Sequence, residues 1–316
     1  MHGNPILHRL ESSERILVAG AGGGFDVMSG LPIAFALEAL GKTVFFANMT
    51  FTYLGATEAR QVGPGLYEVG ANTTGDERYF PEKHLATWLS RRGRRDTIYA
   101  IEKGGLASVR ASYASLARLL EVDAVVLVDG GTDILMRGDE AGLGTPVEDI
   151  TSVLAADALD VPSKLIACVG FGIDAFHGVC HAHFLENVSA LARKGAYYGT
   201  FALVPEASEV AAWLEAVAFV QARTPGRESI VCASIADAVR GEFGDHHSIP
   251  RTRESGTELF INPLMSLVWC FELGAVAERV LYRQALEQTK TPFEVMAVIE
   301  AFRHETKARA RRSIPG

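Results

Sequence analysis

Short runs of branched apolar residues that end in glycine and pass into helical sequence recur along this chain. That pattern limits it to few folds. Arg15-Ile-Leu-Val-Ala19 is such a run, followed by Gly20-Ala-Gly-Gly-Gly-Phe-Asp26 and a helix from about residue 32 to residue 40. Gly41 then stops the helix, because glycine adopts positive φ at little cost. Residues 43–47, 97–101, 124–128 and 164–169 read as further strands, with another helix starting near Pro81. These strands are continuously apolar instead of alternating, which predicts cover on both faces. The expected architecture is a three-layer α/β fold, a mostly parallel sheet flanked by helices, with a helix-rich C-terminal portion.

Two helix starts carry a threonine, a proline and a glutamate at capping-box spacing: Thr145-Pro-Val-Glu148 and Thr291-Pro-Phe-Glu294. That position accounts for Glu148 without a chemical role. From about residue 205 helices are expected to dominate, with one strand near 258–261. The chain divides into an α/β ligand-binding core, 1–205, and a mainly helical portion, 206–316, packed on that core or continuous with it as one domain. The polar segment 241–256 is the candidate lid, and paired His246 and His247 within it fit either closure over a site or plain solvation. The apolar segment 264–269 fits a subunit interface in a homo-oligomer and a buried helix equally well.

Thirty basic against 38 acidic side chains give a net charge of −8 at pH 7, which disfavours bulk attraction to nucleic acid or anionic membrane. No apolar run reaches membrane-spanning length, and the first 25 residues show no signal-peptide core. The four cysteines have neither disulfide-framework nor zinc spacing, so a reduced cytoplasmic chain is expected.

In a parallel sheet, ligands bind beyond the carboxyl ends of the strands. Three turns expected there carry acids beside glycines: Gly22, Gly23, Gly24 and Asp26; then Asp129, Gly130, Gly131, Thr132 and Asp133; then Asp174. Glycine amides can approach an anion closely, or the glycines can serve the backbone alone. The first turn is not a dinucleotide fingerprint. Counted from Gly20 the sixth residue is Phe25, counted from Gly22 it is Val27, and Asn48 stands where the ribose-binding acid belongs. No signature of NAD, pyridoxal phosphate or a phosphate-binding P-loop is present.

The stretch 129–140 holds Asp129, Asp133, Asp139 and Glu140 with Arg137. It reads as a carboxylate cluster, Asp129, Asp133 and Asp139, for a hard divalent cation, with Arg137 on an anionic ligand group. Its competing reading is a solvated loop. His177 and His181 lie at i,i+4 if a helix has begun by His177, a spacing that fits metal or proton transfer. Gly178 after His177 removes the zincin base. The arginine cluster at 91–95 has no interleaved aromatics and reads as a solvated turn. The basic residues from Lys307 to Arg312 read as the end of a helix.

Three motifs carry a family likeness: Ile-Leu-Val-Ala-Gly-Ala-Gly-Gly-Gly-Phe-Asp-Val at 16–27; Val-Asp-Gly-Gly-Thr-Asp, Arg-Gly-Asp-Glu and Gly-Thr-Pro-Val-Glu-Asp at 128–149; and Gly-Phe-Gly-Ile-Asp with His-Gly-Val-Cys-His-Ala-His at 170–183. In these the chain resembles domain-of-unknown-function family 1152 from about residue 15 to residue 205, and the likeness is expected to continue into the C-terminal helices. The resemblance implies a cytosolic bacterial or archaeal α/β protein and brings no catalytic residue with it. From the residues themselves the expectation is an enzyme for a small anionic, phosphorylated or nucleotide-like metabolite, working by hydrolysis or group transfer. Asp133, Asp174, His177 and His181 are the candidate catalytic residues. The alternative is a metabolite-binding protein without chemistry on the same fold.

Overall fold

The computed structural model describes residues 4–314. Its strands are β1 (Arg15–Gly20), β2 (Thr43–Thr50), β3 (Arg60–Gly63), β4 (Leu66–Val69), β5 (Ile98–Glu102), β6 (Ala124–Gly130), β7 (Ser163–Val169), β8 (Tyr197–Ala202), β9 (Gly244–Asp245), β10 (Phe260–Ile261) and β11 (Leu267–Glu272). Nine of them form one sheet in the order β3-β4-β5-β2-β1-β6-β7-β11-β8, while β9 and β10 make a separate short ribbon. The central run β5-β2-β1-β6-β7 is parallel, and the flanking strands are antiparallel. The protein is therefore α/β. Its strand order reverses between β1 and β6, the kind of switch point at which such sheets bind ligands.

The uninterrupted apolar strands follow from cover on both faces. Leu17 and Ala19 of β1 and Leu127 of β6 pack with the helices Leu106–Leu120 and Pro146–Asp157 on one side. Ile16, Val18 and Val128 pack with the helices Leu31–Ala39 and Ser208–Gln221 on the other. No helix among the described residues is long and apolar enough to cross a membrane.

Three local expectations are corrected. The segment 264–269 is neither a buried helix nor a free apolar face: a short 3-10 turn at Pro263–Ser266 leads into β11, which lies between β7 and β8. One sheet thus draws on both halves of the chain. At Thr291 the capping box forms as expected, but at Thr145 it does not. There the threonine amide and hydroxyl go to Asp133 Oδ2, at 2.7 and 3.2 Å, and Glu148 faces Lys103 at 3.4 Å. Last, the C-terminal helix ends at Glu305, and the basic residues beyond it do not serve its dipole. Arg309 and Arg312 instead pair with Glu186.

The 91–95 arginines lie on the surface, and aromatic rings from elsewhere in the chain reach them. Arg92 stacks over Trp88 at 4.7 Å and pairs with Glu215, while Arg94 lies 4.2 Å over Phe35 and pairs with Glu38. Arg91 and Arg95 cover Phe219 and Phe45.

Candidate functional site: an aspartate cluster at the switch point

Beyond the carboxyl ends of β1 and β6, carboxylate oxygens of Asp26, Asp129 and Asp149 lie within 4.8 Å of one another. Asp26 opens the short helix Asp26–Ser29 beyond the turn after β1, Asp129 is the last residue but one of β6, and Asp149 sits on the buried side of the helix Pro146–Asp157. Both oxygens of Asp149, which is 1% exposed, lack a hydrogen-bond partner among the described residues. So does the buried hydroxyl of Ser29, which approaches the same point near Gly130 as Asp26 Oδ1. Unpaired buried carboxylate oxygens are costly, and they are rare unless a site is built for a ligand.

Asp133 and Asp174 flank this group and hold its loops. Asp133 Oδ2 accepts from the Thr145 amide, and Asp174 Oδ2 accepts from the Thr132 amide at 2.6 Å and its hydroxyl at 3.3 Å. Their other oxygens face Gly131. Burial raises the proton affinity of all five aspartates, and their mutual repulsion adds to it in Asp26, Asp129, Asp149 and Asp174. Asp26 is pushed up to about 7 by burial and the charge of Asp133, against the pull of the Gly22 amide. Close like charges of this kind call for protons or a cation.

Gly23 and Gly24 take positive φ, 92° and 63°, as the backbone reading expects, while Gly22 and Gly131 have a further reason. A Cβ on Gly22 would stand 2.5 Å from Asp149 Oδ1 and 2.7 Å from Asp26 Oδ2, and one on Gly131 2.9 Å from Asp174 Oδ1. These turns leave room for the protein's own carboxylates. The Gly22 amide donates to Asp26 Oδ2 at 2.7 Å and so is not free for an external anion. Asn48, standing where a dinucleotide-binding acid would be, ties the turn instead: its amide donates to the Gly24 carbonyl at 2.8 Å and its Oδ1 accepts from Val27. Gly22→Ala is expected to push Asp26 and Asp149 apart at a cost of about 1–3 kcal/mol, read as a lower urea midpoint. An unchanged midpoint would show that the turn relaxes freely.

A cleft of about 460 Å³ opens beside the cluster. Gly23, Gly24 and Asp26 line it together with Phe51, Tyr79, His177, Arg227 and Arg251. Arg251 comes from the segment expected to be a lid. In that segment His246 and His247 are engaged with acids, His247 Nε2 lying 3.0 Å from Asp245.

Several residues singled out by their motifs fall elsewhere, and Asp139 and Arg137 leave the cluster altogether. Arg137 binds Asp139 with both arms of its guanidinium, at 2.9 and 2.6 Å. The histidines do not share a helix face: His177 ends the short turn Ile173–His177, and His181 begins the helix His181–Arg193. His181 stacks on Phe171 with its Nε2 buried and unpaired, while His177 is exposed in the cleft. Sequence reasoning misses Asp149, because the capping-box pattern draws attention to its neighbour Glu148. A signal for it exists: Asp149 shares a helix face with Val153 and Ala156, where only apolar residues would be expected.

No curated protein and no solved structure matches this chain. The sequence pattern of one family, described as a protein of unknown function (DUF1152), matches residues 58–310. That span includes Asp129, Asp133, Asp149 and Asp174 but not the first glycine turn. Matching most of the chain, it establishes that this protein belongs to the DUF1152 family.

Proposed function

We propose that this protein is a divalent-cation-dependent enzyme that hydrolyses, or transfers a group from, a small phosphorylated or nucleotide-like metabolite. The observation that carries the reading is the convergence of Asp26, Asp129 and Asp149 at the switch point, with both oxygens of Asp149 unpartnered. An all-oxygen donor set of this charge suits Mg²⁺, Mn²⁺ or Ca²⁺. A cation held there would polarise a ligand oxygen and acidify a bound water.

The chain's own residues do the rest. Asp26 belongs both to the cluster and to the cleft, so a ligand in the cleft meets the cation across it. Arg227 and Arg251 supply positive charge for the ligand's anionic group, and Phe51 and Tyr79 offer ring faces for an aromatic one. Asp133 and Asp174, whose proton affinity is raised by burial, can take or return a proton beside the cluster. His177 can do so from the cleft.

The test is metal analysis of protein purified without chelator, followed by a screen of phosphorylated metabolites with Mg²⁺ and Mn²⁺. Asp149→Asn serves as the control. Turnover that needs the cation and is lost in the variant is the expected result. Cation-dependent binding of a compound recovered unchanged would favour the metabolite-binding alternative. Neither cation binding nor turnover in the wild-type protein would overturn both.

A further inference from the structure

We propose that a second cavity, lined by Arg137, Arg193, Arg279 and Arg309, is a binding site for a small oxyanion of two or more negative charges. Its volume is about 530 Å³, and Glu186 and Asn187 also line it. The cavity shares no residue with the aspartate cluster, so it stands or falls apart from the proposed reaction.

The site is built from the inside outward. Asn187 is buried, and its Nδ2 donates to the Leu135 carbonyl at 3.0 Å and to Glu140 Oε1 at 2.9 Å. That fixes its Oδ1 as the acceptor for Arg279 Nη2 at 2.6 Å. Among the described residues Arg279 has no carboxylate partner, although it is half-buried. Its burial and the charges of Arg137 and Arg309 hold it below its ordinary proton affinity. Arg193, exposed on the last turn of the helix His181–Arg193, has neither hydrogen bond nor ion pair among the described residues.

The local charge does not balance. Arg137 and Arg309 share one carboxylate, Asp139, at 2.9 and 3.1 Å from their Nε atoms. Arg309 and Arg312 both pair with Glu186, and Arg309 Nη2 stands 3.1 Å from Glu140. Arg303 spends its guanidinium on the carbonyls of Gly138 and Ala141, 3.1 and 3.3 Å away. Among the described residues the carboxylates that pair with Arg137, Arg193, Arg279, Arg303, Arg309 and Arg312 are therefore Asp139, Glu140 and Glu186, six cations against three anions, in a chain of net charge −8. Guanidinium groups pair with phosphate or carboxylate oxygens two at a time, so a compact polyanion supplies the missing charge. The cavity is of small-molecule size.

Isothermal titration with inorganic pyrophosphate and, separately, with citrate distinguishes a phosphate from a carboxylate ligand. The protein is first passed over a chelating resin, so that no cation draws pyrophosphate to the aspartates, and ionic strength is matched with sodium chloride. Saturable one-to-one binding of at least one anion is expected, equally in the wild type and in Asp149→Asn. Arg279→Met is expected to weaken it at least ~10-fold and Arg193→Met at least ~5-fold. Should Arg279→Met fail to fold, Arg193→Met on the exposed helix end decides. Absence of binding by both anions, or affinities unchanged in the folded variants, overturns the proposal.

Discussion

Asp149→Asn is expected to lower the protein's affinity for Mg²⁺ or Mn²⁺ by at least ~100-fold, or ~2.7 kcal/mol. In the same variant the metal-free protein is expected to gain stability at neutral pH. Both effects have one cause. Asp149 is buried with neither oxygen partnered, and it faces Asp129, Asp133 and Asp26. Its charge is unfavourable until a cation arrives and valuable afterwards. Asparagine keeps the shape, removes the charge and offers an amide hydrogen to the remaining carboxylates. Titration calorimetry and thermal melts, each with and without cation, read the two effects. A variant that binds cation as tightly as the wild type would remove Asp149 from the site.

Metal-free protein should lose stability as pH rises from 5 to 8. The folded state raises Asp26 from 3.8 to about 7. Between those values the unfolded chain is ionised at this residue while the folded chain keeps the proton, so the unfolded state binds fewer protons and stability falls with rising pH. For Asp26 the loss is complete above about 7. Asp129, Asp149 and Asp174 are raised well above the ordinary value and extend the fall. Ion-paired acids such as Asp139 and Glu287 act in the opposite sense, but their stabilisation is lost only as pH drops below the ordinary carboxylate range. Over the window the expected loss is about 2–4 kcal/mol, a fall in Tm on the order of 3–6 °C for a chain of this length. Saturating Mg²⁺ binds only the ionised cluster and should flatten or reverse the slope. A metal-free profile that stays level or rises would show that other groups of the fold compensate the carboxylate charges, so that the aspartates ionise as readily as in the unfolded chain.

The parts of this protein legible in its sequence are those fixed by neighbours a few residues away. Continuous apolar runs announce β1, β2, β6 and β7, because a strand covered on both faces has no polar alternation to hide. Positive-φ glycine marks the end of the helix Leu31–Ala39 at Gly41, where φ is 82°. Asp26, Asp129, Asp133 and Asp174 are visible because each lies at or just beyond the carboxyl end of a strand. β11 is not, since a short apolar run looks the same in a helix and in a strand until another strand is beside it.

The tertiary structure alone decided which charges meet. Asp139 and Arg137 stand only a few residues from Asp133, yet they neutralise each other instead of entering the cluster. Thr145 has the sequence of a helix cap, but Asp133, 12 residues earlier, takes its amide and hydroxyl. Asp149 completes the cluster because the helix after β6 turns its buried face toward β1. Propensity and periodicity are local, whereas carboxylate proximity depends on crossovers that bring residues 26, 129 and 149 together. The sequence by itself therefore determined the elements and the end of the sheet that carries the acids. Their grouping, their proton affinities and the arginine cavity follow from the packing of distant segments, since Coulomb energy depends on distance in space and not along the chain.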